Sequence, residues 1–469
     1  MVASAAESSG AYEQLPAGPQ HSREGGSLAW RLAVVGTAVA GCFFDAGLVF
    51  GYSAIFPELV VHGAFHEKCH GRRAALQPGA CTAQAQALTG MFTLATSALN
   101  ILAIVSGAIL DRAGPGLTAC GAAVLVAAGS ALFGAGGPGA WEAGYTAGFL
   151  LMGIAGPVIF VSSLSFPNLF PGREGLCTAA LVGCFDASSA VFVGLAGLIK
   201  NGVSFEHTFT GYALVPACVA LVAFSLWPRA PVQKPTREGS GSSAGGGPSL
   251  AKLPLGKQAR TPEYILLVMT FSIGMVCINF FIATCDLQMA DVDAEAAPAL
   301  EQAFASILPA GGIVYIPLVG FVVDNLGPTV GWLVLWASLL SFSLLNAAYA
   351  LTGAAPAAYA AFVIFAFCRP LFYTLGAAFT GHTFGFATFG LLYGMLNTLA
   401  GFANCSVQSL QLLADAQGFR TANAVLFAAE AAMVALPLLV LWKERKGRRK
   451  GSVDSDELAG VNARSRAFS

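Results

Sequence analysis

The 469-residue chain is poor in charge: Lys, Arg, Asp and Glu make up 10% of it, far below the roughly 25% of soluble domains. The 24 basic and 25 acidic residues nearly cancel, to a net charge of −1, so there is no basic footprint for nucleic acid and no such partner is expected. Motifs of common soluble chemistry are missing too. No Gly-rich phosphate loop ends in Lys and no HExxH pair occurs. The histidines, His21, His62, His66, His70, His207 and His382, all fall in tails, loops or span ends. Enzymatic activity, a resident metal and a cofactor are therefore not expected. Nor is a cleavable leader expected, because the polar stretch before Trp30 precedes an apolar run too long for one, and it reads as a retained tail.

What abounds is apolar surface, at 56% of residues against about 45–50% in soluble chains. Runs near the roughly 20 residues that cross a bilayer stretch from Trp30 to Phe56, Leu88 to Leu110, Leu117 to Phe133, Gly144 to Leu164, Leu176 to Ile199 and Phe209 to Trp227. A second set covers Tyr264 to Leu287, Phe304 to Val323, Val330 to Leu351, Ala358 to Phe379, Phe389 to Leu413 and Ala422 to Trp442. In hydrocarbon each backbone amide must be satisfied within its own segment, and runs without period-two alternation select helices. The expected fold is an all-α membrane protein with twelve transmembrane helices in two pseudo-symmetric six-helix halves, residues 28–228 and 261–442. Its partners are then a lipid bilayer and a small-molecule substrate, and a monomer is expected.

Residues 229–260 are rich in Pro, Gly and Ser and read as a flexible connector. Arg229, Lys234, Arg237, Lys252, Lys257 and Arg260 lie in it, and residues 443–469 form a second basic tail, with Lys443, Arg445, Lys446, Arg448, Arg449 and Lys450. That bias places the connector, residues 1–27 and residues 443–469 in the cytosol, in a plasma or organelle membrane. Most of the eleven cysteines lie inside spans and read as small buried hydrophobes. Cys69 and Cys81 fall in the hydrophilic loop after the first span, where an oxidising exterior lets them form a disulfide.

An internal repeat supports the two halves. GAILDRAGPG begins at Gly107 and GFVVDNLGPT at Gly320, an offset of 213 that pairs Asp111 with Asp324, Gly114 with Gly327 and Pro115 with Pro328. Parallel halves of this kind are a secondary-transporter design. The loop resembles the signature loop of the major facilitator superfamily, and that resemblance implies a gating role for Asp111, Arg112 and Asp324 at the cytoplasmic face. Asn325 stands where the first copy has Arg112, so a weaker second latch is expected.

Charge at mid-bilayer costs about 2.5–3.5 kcal/mol even on lenient scales, which makes Asp45, Asp186, Arg369 and Glu430 candidates. Asp45 shares a helical face with Thr37, Gly41 and Tyr52. Arg369 precedes Pro370, a residue expected to bend the tenth span, and Tyr373 and Gly376 follow on its side. It either clamps a substrate carboxylate or pairs with an acid such as Asp45 to close the structure. Asp186, with Ser188 and Ser189, could contact substrate, carry a proton or hold helices together. Glu430, on a span expected at the periphery, reads as a helix-packing group. Two polar stripes remain: Ser272, Asn279 and Asp286 in the seventh span, and Asn397, Asn404, Gln408 and Gln411 in the eleventh, the latter on the side of Gly390, Gly394 and Gly401. That second face either lines water or packs closely on another helix.

Several stretches, DAGLVFGYSAIFPEL, LVGCFDASSAVF, ASILPAGGIVYIPLVGFVVDNLG and FCRPLFYTLGAAFTGHTFGFATFGLLYGMLNTLAGFANCSVQSLQ, together resemble solute carrier family 43 and its amino-acid-transporting relatives in apicomplexan parasites. The resemblance implies a sodium-independent carrier of large neutral amino acids, with a purine nucleobase as the alternative cargo, and marks Asp186, Ser188, Ser189, Arg369 and Tyr373 as important. The expected mechanism is alternating access around a site of Asp45, Asp186, Ser189, Asn279, Arg369, Tyr373 and Asn397. A nutrient sensor that binds without transporting is a further alternative.

Overall fold

A computed structural model describes residues 27–69, 82–139, 141–232 and 250–443, and no strand occurs among these residues. The first half contains α1 (Leu28–Gly41, continued by turns Cys42–Ala46 and Leu48–Gly51 and by Tyr52–Val61), α2 (Thr82–Ile101 and Ala103–Ala113) and α3 (Pro115–Gly134). It is completed by α4 (Ala143–Ser163), α5 (Glu174–Ala187 and Ser189–Lys200) and α6 (Phe205–Tyr212 and Leu214–Leu226). In the second half are α7 (Pro262–Val292), α8 (Ala297–Val314 and Ile316–Asn325), α9 (Gly327–Thr352), α10 (Ala355–Phe384), α11 (Phe389–Asn404 and Ser406–Gln417) and α12 (Phe419–Ala432, running on to Lys443). Among the described residues nine spans are long and apolar enough to cross a membrane, and α2 and α8 qualify as bent pairs. The remaining element, α11, is interrupted at Cys405 and carries the stripe of Asn and Gln.

Helix ends follow local chemistry. The Oγ atoms of Ser27 and Thr261 accept from the amides of Trp30 (3.2 Å) and Tyr264 (3.3 Å), which starts α1 and α7 with satisfied donors. Gly114 and Gly327 both hold φ at +76°, a turn that glycine adopts without strain, and each is followed by a Pro in the first turn of the next helix. The bends repeat as the loops do. α2 breaks at Leu102 and α8 at Tyr315, 213 residues apart, each by 47°. Pro309 and Pro317 explain the break in α8. No proline lies in α2, where Ser106 Oγ instead donates to the Leu102 carbonyl at 3.2 Å and competes with the ladder. The bend expected at Pro370 is not a break, since α10 runs continuously from Ala355 to Phe384; a proline is tolerated where neighbouring helices enclose it, and Pro370 is buried.

One expectation about the connector needs adjustment. The segment 250–260 is not loose: Gln258 is 1% exposed, donates to the carbonyls of Leu250 (3.0 Å) and Phe384 (3.2 Å), and accepts from Thr388 Oγ1 (2.8 Å). A buried amide with three partners anchors this stretch to the end of α10. Residues 233–249 lie outside the described residues. Cys69 is disulfide-bonded, while Cys81 lies outside the described residues.

The halves meet along α2 with α11 and along α5 with α8. Glycines allow backbone contact there: a Cβ on Gly107 would sit 1.9 Å from the Gly390 carbonyl oxygen, and one on Gly183 would sit 2.0 Å from that of Gly312. Gly394 packs on the Ala103 carbonyl and Gly401 on Asn100, so the glycine face of α11 is a packing face.

Candidate substrate site and latch

Asp186 and Arg369 lie on opposite halves, on α5 and α10, and their Oδ1 and Nη1 atoms are 3.3 Å apart. Their side chains are 2% and 8% exposed, so this is a buried ion pair and each charge depends on the other. The pair sits where α5 breaks. Ser189 Oγ donates to the Asp186 carbonyl at 3.1 Å, and Ser188 Oγ accepts from the Gly47 amide at 3.1 Å, stitching α5 to the turn of α1. Neither serine is hydrogen-bonded to the Asp186 carboxylate; both bond to the backbone around it. Around the charges the walls are aromatic. The Arg369 guanidinium lies 5.6 Å from the Phe50 ring centroid, a cation–π arrangement, and it interacts with the Tyr373 side chain. Phe185 packs against Phe50 and Phe160, at 5.9 and 5.0 Å, and Tyr373 packs edge-on to Phe271 at 5.9 Å. Gly312 of α8 makes room for the Asp186 side chain, since a Cβ there would come within 3.1 Å of Asp186 Cβ.

Asp45 does not join this group. It is fully buried inside the first half, where Tyr212 of α6 donates to the Phe44 carbonyl and lies 3.4 Å from Asp45 Oδ1. Asp45 Oδ2 has no hydrogen-bond partner. The pairing of Arg369 with Asp45 is thus not realised, because Asp186 occupies the guanidinium. Asn279 donates to Asn404 Oδ1 at 2.9 Å, so the two polar stripes meet each other within the second half. Asn397 donates to the Tyr393 carbonyl of its own helix at 2.8 Å. Glu430 accepts from Ser343 Oγ at 2.6 Å and its carbonyl accepts from Trp336 Nε1 at 3.1 Å, a packing arrangement between α12 and α9.

The loop aspartates are tied to backbone. Asp111 accepts from the amides of Gly390 and Leu391, both at 2.8 Å, at the start of α11 in the other half. Asp324 does the same at the start of α5, accepting from Gly175 at 2.5 Å and Leu176 at 3.0 Å. Each carboxylate meets unsatisfied amides at the positive end of a helix, which favours an anion. The second aspartate therefore matches the first in its bonds, and Asn325, which stands where the first copy has Arg112, donates from Nδ2 to the Phe321 carbonyl at 3.2 Å. Arg112 is exposed, and the bonds that join the halves here come from Asp111.

Sequence reasoning missed the receivers of these groups. Gly175 and Gly390 open α5 and α11 in equivalent places, a glycine in each first turn that was the available signal. Phe50 and Tyr212 gave no signal of their own.

The profile described as Major Facilitator Superfamily matches residues 32–407. Among curated proteins the chain is 27% identical over 450 residues to Protein FMP42 of Saccharomyces cerevisiae, covering 80% of this chain and 87% of that protein. It is 24% identical over 223 residues to Equilibrative nucleobase transporter 1 of Bos taurus, covering 45% of this chain and 44% of that one. Among solved structures it is similar in fold to the proton:xylose symporter XylE (TM-score 0.60, 13% identity, 88% of this chain and 96% of the other). It is also similar to the human organic anion transporter MFSD10 (TM-score 0.54, 15% identity, 88% and 98%).

Proposed function

The chain belongs to the major facilitator superfamily, and from that premise we propose that it carries amino acids with large neutral side chains across a membrane by facilitated alternating access. One observation carries the reading: a buried Asp186–Arg369 pair joins the two halves among aromatic walls. A zwitterionic amino acid offers both halves of that interaction. Its carboxylate replaces Asp186 on the guanidinium and its ammonium replaces Arg369 on the carboxylate, so neither charge is left uncompensated when the direct pair opens. Phe50, Phe185 and Tyr373 then receive an apolar side chain. Asp111 and Asp324 close the side that bears the connector, which this reading assigns to the cytosol, and their release opens the site to that side. Ser189 holds the α5 break, while Asp45, Asn279 and Asn397 act from outside the contact shell.

The relative named as a nucleobase transporter supports a second reading, purine transport. It is disfavoured by the state of the amides suited to a planar heterocycle, since Asn279 and Asn404 are bonded to each other. Uptake into proteoliposomes of radiolabelled leucine and of radiolabelled adenine separates the two. Leucine uptake, lost in Arg369→Ala and at least partly kept in Arg369→Lys, is the expected result. Adenine uptake without leucine uptake, or leucine uptake unchanged in Arg369→Ala, overturns the proposal.

A further inference from the structure

Repeat symmetry exposes a difference at one corner. In the first half, near the ends of α3 and α6 on the side away from the termini, Phe133 and Phe209 meet edge-on at 4.7 Å and both are fully buried. Phe205 lies 5.4 Å and Tyr145 6.1 Å from Phe133, so the corner is an aromatic plug. The offset of 213 that relates the loops carries Phe133 of α3 to Asn346 of α9. Aligning the N-caps Ser204 and Gly418 carries Phe209 of α6 to Asn423 of α12, 214 residues on. Both aromatic rings are thus replaced by amides.

These amides are organised. Asn346 Nδ2 and Asn423 Nδ2 donate to one acceptor, Gln288 Oε1 of α7, at 3.1 and 2.9 Å, and Gln288 Nε2 donates to Thr284 Oγ1 at 2.8 Å. Gln288 is 4% exposed and Asn346 6%. Where the first half is filled, a cavity of about 310 Å³ remains, also lined by Asp291, Tyr349 and Arg420. Each asparagine has spent one N–H and retains a carbonyl and a second N–H. Arg420 Nη2 donates to the Ala350 carbonyl at 2.9 Å, which leaves most of its five donors for a ligand. A hollow walled by buried amides is a poor way to stabilise a corner that its repeat partner closes with aromatics, and its volume falls in the range of about 300–1,000 Å³ usual for small-molecule sites.

We infer that this corner of α7, α9 and α12 is a binding site for a small zwitterionic group, separate from the Asp186–Arg369 site. An anionic end is received by Arg420 and the amides of the first turn of α12. An ammonium end is received by Asp291 and the carbonyls that close α9. Asn346 and Asn423 hold the polar atoms between. Two sources offer this chemistry at the membrane surface: a free zwitterionic solute, and the headgroup of phosphatidylethanolamine from the leaflet away from the termini.

The test uses the full-length protein carrying Asp186→Leu with Arg369→Leu, so that the midplane pair does not contribute and no buried charge is left unpaired, in nanodiscs of phosphatidylglycerol. In one arm, binding of radiolabelled leucine and glycine betaine is measured. In the other, retained phosphatidylethanolamine is counted by native mass spectrometry after doping the discs with it. Asn346→Phe, which imports the first half's plug, abolishes the signal in whichever arm shows one, and the exposed Arg420→Gln weakens it about tenfold, the loss expected for a charge-assisted contact. Leucine or betaine binding identifies a solute site and lipid retention a headgroup site. No signal in either arm, or a signal that neither substitution changes, overturns the inference. Arg420→Gln keeps the test decisive if Asn346→Phe fails to fold.

Discussion

The two halves share one plan and spend their polar residues differently. In the first half, the buried carboxylates Asp45, Glu58 and Asp186 lie on α1 and α5, with Asp186 directed across the interface and the far corner sealed by Phe133, Phe205 and Phe209. In the second, Arg369 answers Asp186, and further amides, Gln288, Asn346, Asn423, Asn279 and Asn404, are bonded among themselves inside the half. Duplicated scaffolds diverge at side chains while their bends and turns stay in register, as the equal 47° breaks at Leu102 and Tyr315 show. Common backbone geometry thus supports asymmetric chemistry.

The sharpest way to break the comparison is at the shared charge pair. Asp186→Ala leaves a buried guanidinium unpaired and is expected to lower stability by roughly 3–5 kcal/mol, whereas the double change Asp186→Leu with Arg369→Leu recovers most of it without recovering uptake. Thermal unfolding monitored alongside leucine uptake checks both. Next comes the corner. Phe133→Asn removes an aromatic ring from a packed cluster and buries an amide without Gln288 to meet it, a loss of about 3 kcal/mol. Asn346→Phe, entering an existing cavity, changes stability by about 1 kcal/mol or less. Melting of the two variants side by side tests the asymmetry.

The latches should show the halves as equals. Asp111→Ala and Asp324→Ala each remove two charge-assisted bonds to a helix start and shift the closed state by about 1–2 kcal/mol. Distances between spin labels at the exposed Arg173→Cys of the first half and Ala387→Cys of the second, in a background without native cysteines, should lengthen similarly in both. A shift in only one variant breaks the symmetry. Arg112→Ala, at an exposed position, should alter the same distances by an equivalent of under about 0.5 kcal/mol.

How much of this was legible follows from range. Spans were readable because a bilayer imposes length on each locally, and the repeat was readable because Asp111 and Asp324 sit in matching turns. α11 shows the limit: its run is apolar enough to find, yet whether its glycine side met water or a helix depended on Gly107 and Ala103 of the other half. The partner of Arg369 was equally unreadable, since nothing local distinguishes Asp45 from Asp186. Only the turn of α1, which points Asp45 towards Tyr212, and the break in α5, which frees Asp186 to face α10, make the choice. Cys69 could be read as bridged because its loop composition set it apart from the cysteines within spans.

The receivers of Asp111 and Asp324 are main-chain amides, present whatever side chain the residue bears. Substitution at Leu391 or Leu176 cannot delete the donor unless proline is introduced. Each clasp is therefore encoded by one acidic letter on one side and by main-chain amides on the other, with the further condition of a glycine at 390 or 175, where any Cβ would come within 2.6 Å of the carboxylate.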